Sequence, residues 1–170
     1  MGLLTKLTFL WLYNNCLTGS IPSDLCSLTK ITIITKLLLQ SNKLICYPSC
    51  LSSLVSNNGY PQCTASPTAF PTYTPSDADT ALCAIVASTN INSIYPTWFC
   101  SNGQPSGTAI CSWTGITCNG SNISISLSLV SISLKGSIPT EIGLLTNLQY
   151  LYLHNNCLSS IYLRYLNIII

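Results

Sequence analysis

The stretch LTNLQYLYLHNNCL, residues 145–158, decides the fold. Its leucines, Leu145, Leu148, Leu151, Leu153 and Leu158, and its Asn156 follow the order L-x-x-L-x-x-L-x-L-x-x-N-x-L. A near copy, LTKLTFLWLYNNCL, occupies residues 4–17. The L-x-L centre suits a short strand whose alternate side chains point in and out, so Leu10, Leu12, Leu151 and Leu153 point inward. The chain then turns away. A buried Asn15 or Asn156 satisfies backbone groups that the turn deprives of ladder partners. A single coil cannot bury its own leucines, whereas stacked coils share one continuous core.

Residues 3–25 extend the pattern with T-G-S-I-P-S-D-L, placing Gly19, Ile21 and Pro22 in phase. Glycine relieves a tight bend, and the Ile-Pro step favours extended backbone on the flank. The full run, L-x-x-L-x-x-L-x-L-x-x-N-x-L-x-G-x-I-P, resembles the plant-type extracellular leucine-rich repeat family. That resemblance implies a leucine-rich repeat solenoid: a right-handed superhelix of the β/α type, with short parallel strands, a 3₁₀ or irregular convex side and a small helical N-terminal cap. It also implies a secreted or cell-surface recognition module.

A second repeat, ITKLLLQSNKL, keeps Leu37, Leu39, Asn42 and Leu44. The interval from Asn15 to Asn42 exceeds that from Ile132 to Asn156, and the excess is expected to bulge within residues 30–35. Beyond Leu44 the G-x-I-P tail is lost, and 45–63 reads as a closing edge involving Cys46, Cys50 or Cys63. Residues 60–76 are rich in Pro, Thr and Ser without periodicity and read as a linker. DADTALCAIVAST then predicts a short helix with Asp77 or Asp79 near its start. It is followed by Tyr95, Trp98, Cys100 and C-S-W-T-G-I-T-C, with Cys111, Trp113, Gly115 and Cys118.

A helix followed by C-x-W-x-G-x-x-C resembles the cap that precedes plant-type repeats. The resemblance implies a Cys111–Cys118 disulfide, with Cys83 and Cys100 offered as a second pair. Repeats resume at once in ISISLSLVSISLKGSIPTEIG, 123–143, although Ile132 stands where Asn is expected. After Leu158 the tail either begins a shortened coil at Leu163, Leu166 and Ile168 or frays.

The resulting order is 1–59, the closing part of an array with two repeats and an edge; 60–76, a linker; 77–122, a cap; and 123–170, the start of an array with two repeats and an irregular tail. Two arrangements fit it. Either two truncated arrays lie in succession, the history this order favours, or the chain is permuted and the two pairs of coils stack. About three coils are needed for independent stability, and neither half clearly has them.

Composition narrows the function. Only 6% of the 170 residues are charged and the net charge is +2, which gives no electrostatic case for nucleic acid. No apolar run reaches the roughly 20 residues of a membrane helix. Ten cysteines favour an oxidising compartment. Zinc is poorly served: there is no C-x-x-C, and His154 is the sole histidine. MGLLTKLTFLWLY has the look of a signal peptide, yet its leucines continue in phase through Asn15 and Leu17 and no small-residue cleavage site follows. The sequons at Asn119 and Asn122 suit surface glycosylation of an exported chain.

Residues between the inward leucines face the concave side: Phe9, Trp11 and Tyr13; Lys36, Leu38 and Gln40; Ser126, Ser128 and Val130; Tyr150, Tyr152 and His154. Two aromatic triplets on an open sheet are good anchors for a protein, a peptide or the faces of a polysaccharide. The plainer reading is that they pack on each other across strands, or that a missing neighbour covers them. Four carboxylates, Asp24, Asp77, Asp79 and Glu141, make acid–base catalysis a poor prospect, and no P-loop, dinucleotide loop or kinase segment calls for a cofactor. Cys16 and Cys157 share the position between Asn and Leu, either as free thiols or paired between coils. The expectation is a non-enzymatic binding module without cofactor or metal. A structural or adhesive surface protein and a gene fragment without a ligand are the alternatives.

Overall fold

A computed structural model describes residues 4–32, 36–55, 59–64, 78–107, 109–119 and 124–161. The bulge expected near 33–35, Asp77, Asn122, most of the linker and the tail beyond 161 lie outside them.

The chain does not run through its sheets in sequence order. The larger sheet holds β1 (Phe9–Trp11), β3 (Leu37–Leu38), β7 (Ile116–Cys118), β8 (Ser124–Ser128) and β10 (Tyr150–Tyr152) in the order β3-β1-β10-β8-β7. All neighbours are parallel except β7 and β8. A second, wholly parallel sheet repeats this order in β4 (Lys43–Leu44), β2 (Thr18–Gly19), β11 (Cys157–Ile161) and β9 (Lys135–Ile138). Of the two arrangements left open by the sequence, the chain adopts stacking: β10 of the C-terminal half pairs with β1 of the N-terminal half.

Hydrophobic register explains the pairing. Leu127, Leu151, Leu10 and Leu37 are successive partners across the sheet, and each is buried to within 1% of full enclosure. Complete burial of one such leucine is worth about 1.5–3 kcal/mol. Separated halves would leave one leucine row wet on each side of the joint. Leu12, Leu17, Leu153 and Leu158 extend the same core.

The N-N dipeptides divide two tasks. The first residue makes the turn: Asn14, Ser41, Ser131 and Asn155 all have φ between 51° and 57°, a left-handed conformation that Asn tolerates better than most residues. The second makes a ladder. Asn156 Nδ2 donates to the Leu129 carbonyl, while its Oδ1 accepts from the Ile132 and Leu134 amides. Asn15 bonds in the same way to the Leu153 carbonyl and Leu158 amide, and Asn42 to the Leu12 carbonyl and Leu17 amide. Each asparagine therefore serves the coil before it. Ile132 lies in the first coil, where no earlier coil needs serving, and packs against the core instead. This accounts for the departure from Asn.

Ile21 and Ile138 are buried, and the prolines after them, Pro22 and Pro139, lead into 3₁₀ helices at Ser23–Ser27 and Thr140–Leu144. Asp24 and Glu141 fall in the first turns of these helices. The short helix α1 (Ser52–Val55) buries Val55. Helix α2 (Ala78–Ser88) buries Ala81, Leu82, Cys83 and Ile85 and has Asp79 in its first turn. The short α3 (Ile91–Ile94) and the hairpin β5–β6 (Cys100–Ser101, Gln104–Pro105) follow. Trp98 and Trp113 lie 4.9 Å apart between rings, both buried, with Trp98 Nε1 donating to the Thr114 carbonyl at 3.0 Å.

The end of helix α2 is seated on one glycine. A Cβ on Gly136, at φ 110°, would stand 2.1 Å from the Ser88 carbonyl oxygen and 2.9 Å from Thr89 Cα. Thr89 and Gly136 form an antiparallel bridge at this contact. At the other end, Tyr60 Oη accepts from the Asn42 amide, and the backbone of Tyr47 pairs with that of Gln62. Residues 59–64 are thus fastened to the last coil.

Candidate functional site

The face of the larger sheet opposite the leucine core carries both aromatic triplets, on the neighbouring strands β1 and β10 and the residues just after them. Parallel register sets Phe9 beside Tyr150 and Trp11 beside Tyr152. Phe9 stacks on Tyr150 at 5.5 Å between centroids, Trp11 lies tilted against Tyr152 at 4.7 Å, and Tyr13 stacks on His154 at 4.4 Å. Contacts along each strand, such as Tyr150–Tyr152 at 6.1 Å, join the three pairs into one patch. Offset and edge-on arrangements of this kind add about 0.5–1.5 kcal/mol per pair beyond area burial. Phe9, Trp11, Tyr13, Tyr150 and Tyr152 remain partly exposed.

The flanks differ. Ser126 and Ser128 of β8 lie beside Tyr150 and Tyr152. On the other side, Lys36 Nζ lies 5.7 Å from the centre of the Phe9 ring, within cation–π range. The patch therefore has a small hydroxyl-bearing margin and a cationic one.

His154 stands apart from the other rings. It is 8% exposed, and its Nδ1 is buried without a hydrogen-bond partner. Burial holds the imidazole below its ordinary pKa, so it is neutral at pH 7 and Nδ1 is available as donor or acceptor according to tautomer. Burial, and then Tyr150, push the Tyr152 hydroxyl up, which keeps it protonated. Gln40 Oε1, on the strand side bearing Lys36, is likewise buried and unpartnered. The sequence put His154 in the aromatic row, but its depth depends on Tyr13 arriving from the other half, which no local pattern reports.

The other residues singled out from the sequence lie elsewhere. Cys111 is bonded to Cys118 and Cys83 to Cys100, both within the cap. Cys26–Cys50 and Cys46–Cys63 fasten the opposite end; the sequence pattern groups Cys46, Cys50 and Cys63 at the closing edge without a pairing and does not involve Cys26. Asn119 is exposed directly after β7, whereas Asn122 is outside the described residues. Among the described residues, no helix is long and apolar enough to cross a membrane.

No family model matches the chain. A 55-residue stretch is 47% identical to a probable leucine-rich repeat receptor-like protein kinase of Arabidopsis thaliana, covering 32% of this chain and 6% of that protein. Among solved structures, a chain in the crystal structure of the BIR3–SERK2 complex from Arabidopsis thaliana is 35% identical, with 46% of this chain and 43% of that chain covered and a TM-score of 0.38. The chain spans only 6% of the length of the curated relative it matches. Over the matched stretch it is related to plant leucine-rich repeat proteins.

Proposed function

We propose that the chain is a leucine-rich repeat solenoid that recognises a protein partner through the ring-bearing face of its larger sheet, as a receptor-like module outside the cell. The observation that carries this reading is the continuous patch of Phe9, Trp11, Tyr13, Tyr150, Tyr152 and His154, with a buried, unpartnered Nδ1 inside it. Partly exposed aromatic rings on a rigid sheet give large contact area at low entropic cost, the usual character of interface anchors. A partner that donates to or accepts from Nδ1 would satisfy a group now left bare. Four disulfides suit an oxidising compartment. The relationship to a receptor-like kinase over 55 residues supports the same class.

The reading is of a surface that holds a partner without converting it. Strands β1 and β10 carry no carboxylate, and Asp24 and Glu141 sit on the 3₁₀ helices, on other elements. Peptide and polysaccharide ligands use the same ring chemistry and are separable by experiment.

A structural or adhesive role draws on the mutual packing of the rings, which satisfies part of their surface without any ligand. Panning a displayed peptide library against the immobilised protein separates the two. The recognition reading expects enriched sequences whose binding falls at least tenfold in Trp11→Ala and Tyr152→Ala, with circular dichroism unchanged. Equal capture by wild type and both variants would leave only the structural role.

A further inference from the structure

Eight of the ten cysteines are consumed by disulfides that each lie within one half of the chain, at sequence separations of 24, 17, 17 and 7 residues. The two left over sit on opposite sides of the joint between the halves. Cys16 Sγ and Cys157 Sγ are 3.5 Å apart. They occupy the same repeat position on adjacent coils, and the Cys16 amide donates to the Leu158 carbonyl at 3.0 Å. Cys157 is exposed and Cys16 partly so. Neighbouring strands run about 4.8 Å apart, within the Cα separation of about 4.4–6.8 Å that a disulfide spans.

We infer that Cys16 and Cys157 form a redox-modifiable pair, which a small-molecule disulfide such as oxidised glutathione closes into a fifth disulfide across the joint. The steps balance by thiol–disulfide exchange. The exposed Cys157 loses its proton, attacks one sulfur of the oxidant and expels one glutathione thiolate, leaving a mixed disulfide. Cys16 loses its proton, attacks the Cys157 sulfur and expels the second thiolate. Two protein thiols are oxidised, one small disulfide is reduced to two thiols, and the two protons pass to the departing thiolates.

The geometry assigns the order. Cys157 is the accessible thiol, and Cys16 lies within reach to resolve the mixed disulfide before it accumulates. The hydrogen bond with Cys157, ahead of burial, holds the Cys16 thiol above its ordinary pKa, so closure quickens as pH rises from 7 to 8.5. The bond would tie the start of β11 to the segment leading into β2 and, just beyond Tyr13 and His154, hold the two aromatic triplets in register. The inference rests on the strand order and is independent of what the aromatic face binds.

The test is a thiol count on the 170-residue chain, followed by peptide mapping. Native protein prepared without oxidant is expected to show two titratable thiols. After oxidised glutathione it should show none, gain no intermolecular disulfide, weigh about 2 Da less as two hydrogens leave, and yield a cross-linked peptide containing Cys16 and Cys157. Its thermal midpoint should rise by several degrees, while Cys157→Ser should show no such rise. A protein that emerges already oxidised supports the pair if mapping finds the same cross-link. Persistent glutathione adducts on both cysteines, or a disulfide-linked dimer, would overturn it. Cys16→Ser distinguishes the order of attack: it should trap one glutathione on Cys157.

Discussion

Asn14 donates its side-chain amide to the side-chain oxygen of Asn155 at 2.9 Å, across 141 residues of sequence. The two occupy the same left-handed turn of neighbouring coils, at φ 51° and 57°. The same offset separates Thr8 from Gln149 and Thr18 from Ser159, which also bond directly. The offset holds along the larger sheet and slips by one residue in the second, where Thr18 pairs with Ser160 after an irregularity in β11, so the N-terminal coils continue the C-terminal stack.

The asparagine after the turn is expected to carry the larger share of stability. Asn15 Nδ2 donates to the Leu12 and Leu153 carbonyls, and its Oδ1 accepts from the Leu158 amide. Asn15→Ala strands these backbone groups and is expected to cost about 2–4 kcal/mol. Asn14→Gly keeps the left-handed turn and should cost within about 1 kcal/mol. Urea denaturation of the two variants measures the contrast.

The two G-x-I-P glycines look alike in sequence but not in space. A Cβ on Gly19 meets nothing within 4 Å, whereas on Gly136 it strikes the end of the cap helix. Gly19→Ala should cost about 1 kcal/mol through backbone strain alone. Gly136→Ala should cost about 3 kcal/mol or more, because overpacking adds to that strain. It should also raise hydrogen exchange in α2. Equal losses would contradict the seating of the cap.

Acid should weaken the protein through His154. Its folded pKa lies below the ordinary value of about 6.5 because burial disfavours the imidazolium. The unfolded chain takes up this proton near pH 6.5, while the folded one takes it up only at lower pH. The stabilisation is therefore complete above about pH 6.5 and is lost as pH falls through the folded pKa. The thermal midpoint should drop between pH 7 and pH 5. In His154→Phe that slope should flatten, since the chain has no other histidine.

Trp11 and Tyr152 offer a direct energetic probe of the joint. Their rings lie 4.7 Å apart, and a double-mutant cycle to alanine should return a coupling of about 0.5–1.5 kcal/mol. A coupling near zero would mean that these rings do not touch in solution.

Much of this is legible in the sequence alone. The strands around Leu10 and Leu151, their inward leucines, the aromatic row and the helix followed by a Cys–Trp cluster all follow from local periodicity and spacing. What was not legible depends on neighbours distant in sequence. Whether Leu10 meets Leu151 is decided by two wet leucine rows seeking cover, and no window of a single repeat contains both. The meaning of Ile132 likewise depended on knowing that its coil comes first. The role of Gly136 depended on where Ser88 lands, and the depth of His154 on Tyr13.

The central claim is that the two halves form one stack with β10 against β1. Methyl NOE spectroscopy on leucine-labelled protein tests it most directly, because the rows of Leu127, Leu151, Leu10 and Leu37 are each in register with the next. Cross-peaks from Leu10 to both Leu37 and Leu151 are predicted, at intensities independent of protein concentration. A Leu10 that sees Leu37 but not Leu151, while Leu151 sees only Leu127, would contradict the account.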